Sequence, residues 1–153
     1  MPHENIKDLV DRYISVSFSV NKTGENLVKC QLGDDLTNDQ HYTLRYIHHS
    51  ENCTSTELAE VFDVKKSAIT AIITRLFEKG LIERTRDDKD RRVVYLTLSE
   101  KGRELFSETE ERISKLVESF IKKFDQQEIE QFITTYEKLN SILLEIKDQQ
   151  VEE

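Results

Sequence analysis

Lys66-Ser67-Ala68-Ile69-Thr70-Ala71-Ile72-Ile73-Thr74-Arg75-Leu76-Phe77-Glu78-Lys79, then Leu81-Ile82-Glu83-Arg84-Thr85-Arg86-Asp87-Asp88-Lys89-Asp90-Arg91-Arg92, then Val93-Val94-Tyr95-Leu96-Thr97-Leu98-Ser99-Glu100-Lys101-Gly102, decide how this chain folds. The first piece repeats apolar residues at helical spacing and is stopped by Gly80. The second and third carry two strand-like runs around a polar tip, Asp87 to Arg92. Ser99 then opens a further helix. Helix, hairpin with a basic tip, helix is the order of a winged helix-turn-helix. Such a unit can lay one helix in a DNA major groove and a β-tip on the neighbouring minor groove.

The remaining composition bounds this reading. A chain of 153 residues makes one domain, or one compact domain with appended helices. Its apolar fraction of 37% supports a modest core, and its charged fraction of 34% demands much solvated surface. A small core with long charged helices suggests that some apolar surface is buried between chains. No apolar run is long enough to cross a bilayer, and Met1-Pro2-His3-Glu4-Asn5 lacks the basic-then-apolar order of a signal peptide. Cys30 and Cys53 are too few for a disulfide framework. These features together lead one to expect a cytoplasmic protein without a membrane partner.

A net charge of −8 is misleading for nucleic-acid binding, because the charge is unevenly placed. Residues 64–92 hold nine Lys/Arg against five acids, so the rest of the chain carries −12. Attraction of a phosphate backbone is local, since screening acts over roughly 8 Å at physiological salt.

Outside the deciding stretch the chain reads as helical. Ile6, Leu9, Val10, Tyr13, Ile14, Ser17 and Val20 mark a first amphipathic helix over about residues 4–29. Thr37-Asn38-Asp39-Gln40 predicts a capping box for a second helix ending near His49. Thr54-Ser55-Thr56-Glu57 predicts another, before a short third helix with Leu58, Ala59 and Val61 facing inward. Asp125-Gln126-Gln127-Glu128 predicts a third box, which splits the C-terminal part into helices over about 99–123 and 126–148, with a fraying tail from Gln149.

The helix from Lys66 to Lys79 sorts its residues by face. Ile69, Ile72, Ile73, Leu76 and Phe77 form the core stripe; Ser67, Thr70, Ala71, Thr74 and Arg75 fall largely opposite. The opposite face is small, rich in hydroxyls and free of acids before Glu78, which suits close approach to a groove. Thr is a poor choice for an ordinary exposed helix. Arg can grip guanine with two bonds, and Ser or Thr can reach phosphates or base edges. At the tip, one Arg can enter a narrow minor groove, and Asp90 can pair with one Arg and fix the direction of the other.

These segments resemble the MarR family of bacterial transcription regulators over about residues 5–145. The resemblance is carried by Glu57-Leu58-Ala59, by Leu76 to Arg84, by Asp90-Arg91-Arg92 and by Leu98-Ser99-Glu100-Lys101-Gly102. The family's wing pattern, Asp-x-Arg followed by Leu-Thr-x-x-Gly, is met by Asp90, Arg92, Leu98 and Gly102, with Ser99 replacing Thr. It implies a mainly α fold with a small β-hairpin wing, and a sequence-specific regulator of double-stranded DNA. It further implies a homodimeric repressor released from a pseudo-palindromic operator by a small-molecule inducer. The expected division is residues 1–35 for dimerisation, 36–98 for DNA, 99–149 for dimerisation again, and 150–153 as a tail. Residues expected to meet DNA are Thr54, Ser55, Lys65, Lys66, Ser67, Thr70, Ala71, Thr74, Arg75, Arg84, Lys89, Asp90, Arg91 and Arg92.

The same resemblance implies an inducer pocket between the dimerisation helices and the winged domain. Tyr13, His41, Tyr42, Arg45 and Tyr46 can offer aromatic walls and one cation there, suited to a small aromatic or amphipathic anion. Zinc-sensing relatives carry metal ligands near Cys30 and His41 and a His-x-x-x-His on the fifth helix. Here that helix offers Glu108 and Arg112 instead, so no metal site and no cofactor is expected. Residues 10–20 contain no Cys, against the peroxide-sensing mechanism of other relatives. Enzyme chemistry is not expected either: the chain has no Gly-rich phosphate loop and no Ser/His/Asp order. The competing readings are a winged helix used for protein contact, and a metal- or redox-responsive regulator of the same fold.

Overall fold

The computed structural model describes residues 5–151. Six helices and one hairpin follow in order: α1 (Ile6–Leu32), α2 (Asn38–His49), α3 (Ser55–Phe62), α4 (Lys66–Glu78), β1 (Ile82–Arg86), β2 (Val94–Leu98), α5 (Glu100–Ile121) and α6 (Gln126–Val151). This is the mainly helical winged helix-turn-helix expected from the sequence. One compact unit ends at Ile113 and a second begins at Ser114.

Local chemistry sets the helix ends. Thr37 Oγ1 accepts from the Gln40 amide at 3.1 Å, and Gln40 Oε1 accepts from the Thr37 amide at 3.2 Å, a complete capping box on α2. On α3 the box is only half formed. Thr54 Oγ1 accepts from the Glu57 amide at 3.2 Å, but the Glu57 carboxylate accepts from the Tyr46 hydroxyl at 2.8 Å. Val61, expected inside, is 51% exposed, because α3 is eight residues long and buries only Leu58 fully. Asp63 closes α3 in the left-handed region at φ 53°, a conformation that Asp tolerates better than most residues. Helix α6 runs through Val151, so the expected tail is helical at Gln150 and Val151; no Gly or Pro interrupts that stretch. Glu152 and Glu153 lie outside the described residues.

The core of the first unit gathers Leu32, Leu36, Leu44, Ile47, Cys53, Leu58, Ile69, Ile73, Leu76, Leu81, Ile82, Leu96, Leu98 and Phe106. The hairpin pairs Ile82 with Leu98, Arg84 with Leu96 and Arg86 with Val94. Leu96 also donates its amide to the Cys53 carbonyl at 2.8 Å, so Cys53 acts as a one-residue third strand. Burial pushes the Cys53 thiol up to about 12, which keeps it protonated and inert. Cys30 is exposed.

The end of α4 and the start of α5 meet at one junction. Gly80 adopts φ 73°, and the Leu81 amide bonds the Leu76 carbonyl at 3.0 Å, a left-handed helix stop. Ser99 Oγ donates to the Gly80 carbonyl at 2.6 Å and accepts from the Gly102 amide at 3.0 Å. The Ser99 amide donates to the Leu81 carbonyl at 3.0 Å. Helix α5 therefore starts directly on the backbone that links α4 to the wing.

Candidate nucleic-acid interface

Helix α4 presents the face that the sequence marks out. Ile69, Ile73 and Leu76 are buried and Ile72 and Phe77 half-buried, while Ser67, Thr70, Ala71, Thr74 and Arg75 are exposed. Lys65 stands at its N-cap with no side-chain cap, Lys66 follows, and both are exposed. Thr54 and Ser55 start α3 and are half-buried. Arg84 is set apart from the wing tip: its guanidinium lies 4.2 Å over the Phe77 ring. The C-terminal end of α4 is anchored by Lys79, whose Nζ donates to the Asp35 carbonyl at 2.8 Å and to Gln40 Oε1 at 2.9 Å.

The wing tip is ordered by two acids. Asp90 accepts from Arg92 Nε at 3.1 Å on one oxygen and from Arg92 Nη2 at 3.2 Å on the other, a two-pronged pair that leaves Arg92 exposed. Asp87 takes the Lys89 amide at 2.7 Å and the Asp90 amide at 3.2 Å on one oxygen, and the Tyr95 hydroxyl at 2.6 Å on the other. The bond from Tyr95, then those from the two amides, hold the Asp87 carboxyl below its usual range, and the same bond pushes the Tyr95 phenol up. Arg86 Nη1 closes the turn on the Arg91 carbonyl at 2.8 Å. Asp87 was missed from sequence, although Asp opening a polar turn is a known organiser of neighbouring amides. Its partnership with Tyr95 needs the hairpin register.

Asp90→Ala is expected to weaken duplex binding although it removes a negative charge, because Arg92 loses the group that holds it. Fluorescence anisotropy over a salt series checks this. Tighter binding at every salt concentration would reduce the tip to a solvated turn.

The five residues proposed for an effector fall into different surroundings. Tyr13 and Tyr42 are exposed, and His41 is 1% exposed. Tyr46 packs its ring edge-on against Phe62 and bonds Glu57. His41 and Arg45 share a partner that sequence reasoning missed, Glu110 on α5. Its carboxylate pairs with Arg45 Nη1 and lies 3.4 Å from His41 Nε2, while His41 Nδ1 is 3.3 Å from Thr109 Oγ1. A shallow hollow lined by Asp125, Gln127, Glu128, Gln131, Phe132 and Thr135 contains none of the five. Among the described residues no cluster of His, Cys, Asp and Glu is placed to hold a metal, and no helix is long and apolar enough to cross a membrane.

Burial holds His41 below the ordinary imidazole range; nearby Arg45 acts the same way, and Glu110 opposes. The folded chain thus takes up this proton less readily than the unfolded chain. Its contribution to stability is complete above about pH 6.5 and is lost as pH falls below it. Urea melts at pH 7.5 and 5.5 should show this loss, and His41→Gln should reduce it. An unchanged pH dependence in His41→Gln would rule out His41 as its source.

Comparison with known proteins agrees with this geometry. The MarR family model matches residues 36–94. The uncharacterized HTH-type transcriptional regulator YwhA of Bacillus subtilis (strain 168) is 28% identical over 118 residues, 77% of this chain and 85% of that protein. A MepR-like protein, solved as a complex with pseudoligands, is 32% identical, with 88% of this chain and 95% of that one covered and a TM-score of 0.62.

The chain belongs to the MarR family.

At 23% identity, Streptococcus pneumoniae FabT, solved in complex with DNA, shows the shared fold, with a TM-score of 0.75 over 93% of this chain and 99% of its own. This MarR-family chain is a DNA-binding transcription regulator, and the family and its relatives are regulators rather than enzymes.

Proposed function

We propose that this MarR-family chain is a homodimeric repressor, with α4 in successive major grooves of a pseudo-palindromic operator and the wing on the adjoining minor grooves. The observation that carries it is the pairing of an exposed α4 face free of acids before Glu78 with a pre-ordered tip that projects Lys89, Arg91 and Arg92. FabT, which shares the fold, is known in complex with DNA. Residues 36–98 would read DNA, with Thr54, Ser55, Lys65, Lys66 and Arg84 on phosphates and Lys89, Arg91 and Arg92 at the wing. The setting would be the cytoplasm.

Residues 1–35 and 99–149 would form the dimer. Helix α1 exposes Ile6, Leu9, Val10, Tyr13, Ile14 and Val20, and α6 exposes Phe132, Ile133, Tyr136, Ile142, Leu143 and Ile146. Leaving so much apolar surface in water is unfavourable unless a second copy covers it. Sedimentation at micromolar concentration should give a dimer; a monodisperse monomer would overturn the assembly. Selection of bound duplexes from a random pool should yield a palindrome whose affinity falls steeply with salt. Enrichment of no duplex would leave a protein-contact module as the better reading.

Release would follow when a small aromatic anion reaches Arg45 and competes with Glu110 for it. That exchange would disturb the link between α2 and α5 that the pair provides. The MepR-like relative is known with pseudoligands. A screen of aromatic carboxylates against the operator complex tests this. Ligands that bind and leave DNA affinity unchanged would refute the induction step.

A further inference from the structure

We infer that α4 recognises thymine through methyl contact, with Thr70 as the residue that sets this preference. The inference rests on the reading of α4 as the major-groove helix. Adenine is best identified by Asn or Gln, which bond its N6 and N7 together. Residues 66–78 contain neither. Guanine is best identified by Arg or Lys, and α4 carries these only near its ends, as Lys66 and Arg75. The middle of the exposed face therefore has no two-pronged reader of a purine. What it can detect is the thymine 5-methyl group, which projects into the major groove and favours apolar contact.

Thr70 is fitted to that task by a bond within the helix. Its Oγ1 donates to the Lys66 carbonyl at 2.8 Å. A hydroxyl has one proton, so Thr70 has none left to offer to guanine, thymine O4 or a phosphate. The rotamer that reaches back four residues tucks the oxygen against the helix and fixes χ1. The side chain is exposed, and its methyl becomes the group held in place. Ala71 adds a second methyl beside it, and Thr74 lies one turn further along the same face.

The test begins with duplexes selected by the full-length protein from a random pool. The winning duplex is then remade with deoxyuridine in place of thymidine within each half-site, which removes the methyl and keeps every hydrogen-bonding group. Affinity should fall about fourfold per half-site, the factor for one lost methyl contact, and about fifteenfold for a two-half-site complex. Thr70→Val keeps the methyl and should discriminate the thymidine duplex from the uridine duplex by the same factor as the parent. Thr70→Ser keeps the hydroxyl and should lose the same factor as the uridine duplex, with no further loss when the two changes are combined. Equal binding of uridine and thymidine duplexes would overturn the inference, whether or not the variants fold. So would a half-site without A·T pairs, or retention by Thr70→Ser with loss by Thr70→Val. In those cases DNA binding itself still stands. Failure to enrich any duplex would instead remove the underlying reading of α4.

Discussion

Gly102→Ala is expected to destabilise the folded chain by about 3 kcal/mol, at the upper end of what overpacking of a closed site costs. A Cβ at this position would lie 1.9 Å from the Leu81 carbonyl oxygen and 2.9 Å from its carbon. Neither atom is the loose end of a side chain. The Leu81 carbonyl is itself held by the Ser99 amide at 3.0 Å, and Ser99 Oγ holds the Gly80 carbonyl at 2.6 Å. Relief would thus require moving α5 away from the backbone joining α4 to the wing. The urea midpoint should fall while the dependence on denaturant stays the same. A variant within about 0.5 kcal/mol of the parent, the range of ordinary surface changes, would show that the helix does not approach the Leu81 backbone this closely. This geometry also explains why a Leu-Ser-x-x-Gly run follows the wing: Ser caps the helix and Gly makes room for it.

The second large effect concerns Arg75. It is exposed near the end of the α4 face, and Arg75→Ala is expected to cost about 1–3 kcal/mol per half-site. The loss should fall on the selected sequence and leave non-specific binding almost unchanged, so discrimination between duplexes narrows. Arg92→Ala should behave differently, because the wing is proposed to meet groove shape and phosphate rather than base edges. Binding should weaken evenly across sequences, and the salt dependence should flatten by about one unit for each lost contact. Repeating the duplex selection with each variant separates the two. If Arg75→Ala selects the same half-site with undiminished stringency, Arg75 does not read a base.

Much of this architecture was legible because its determinants are local. Thr37 with Gln40, Thr54 before Glu57, Gly80 after α4 and Ser99 before Gly102 act within one turn of chain, and all are found where their spacing places them. The two faces of α4 were legible for the same reason, since thirteen residues give the apolar stripe several repeats. Helix α3 gives it barely two turns, and there Val61 was misplaced. Interactions across the fold escaped. Glu57 turns to Tyr46 instead of completing its own cap, Glu110 reaches back to His41 and Arg45 on α2, and Asp87 finds Tyr95 through the hairpin register. In each case the partner is chosen by packing, which spacing along the chain does not encode. The apolar faces of α1 and α6, proposed as the dimer surfaces, were visible as periodic apolar residues.

The contrast between the two thiols has a practical use. Cys53 is buried and protonated at neutral pH, whereas Cys30 is exposed near the end of α1. A maleimide or nitroxide reagent should therefore modify the unaltered protein once per chain, at Cys30. In a symmetric dimer that gives a single pair of spin labels, hence one interpretable distance, measurable without engineering the sequence and with operator or effector added.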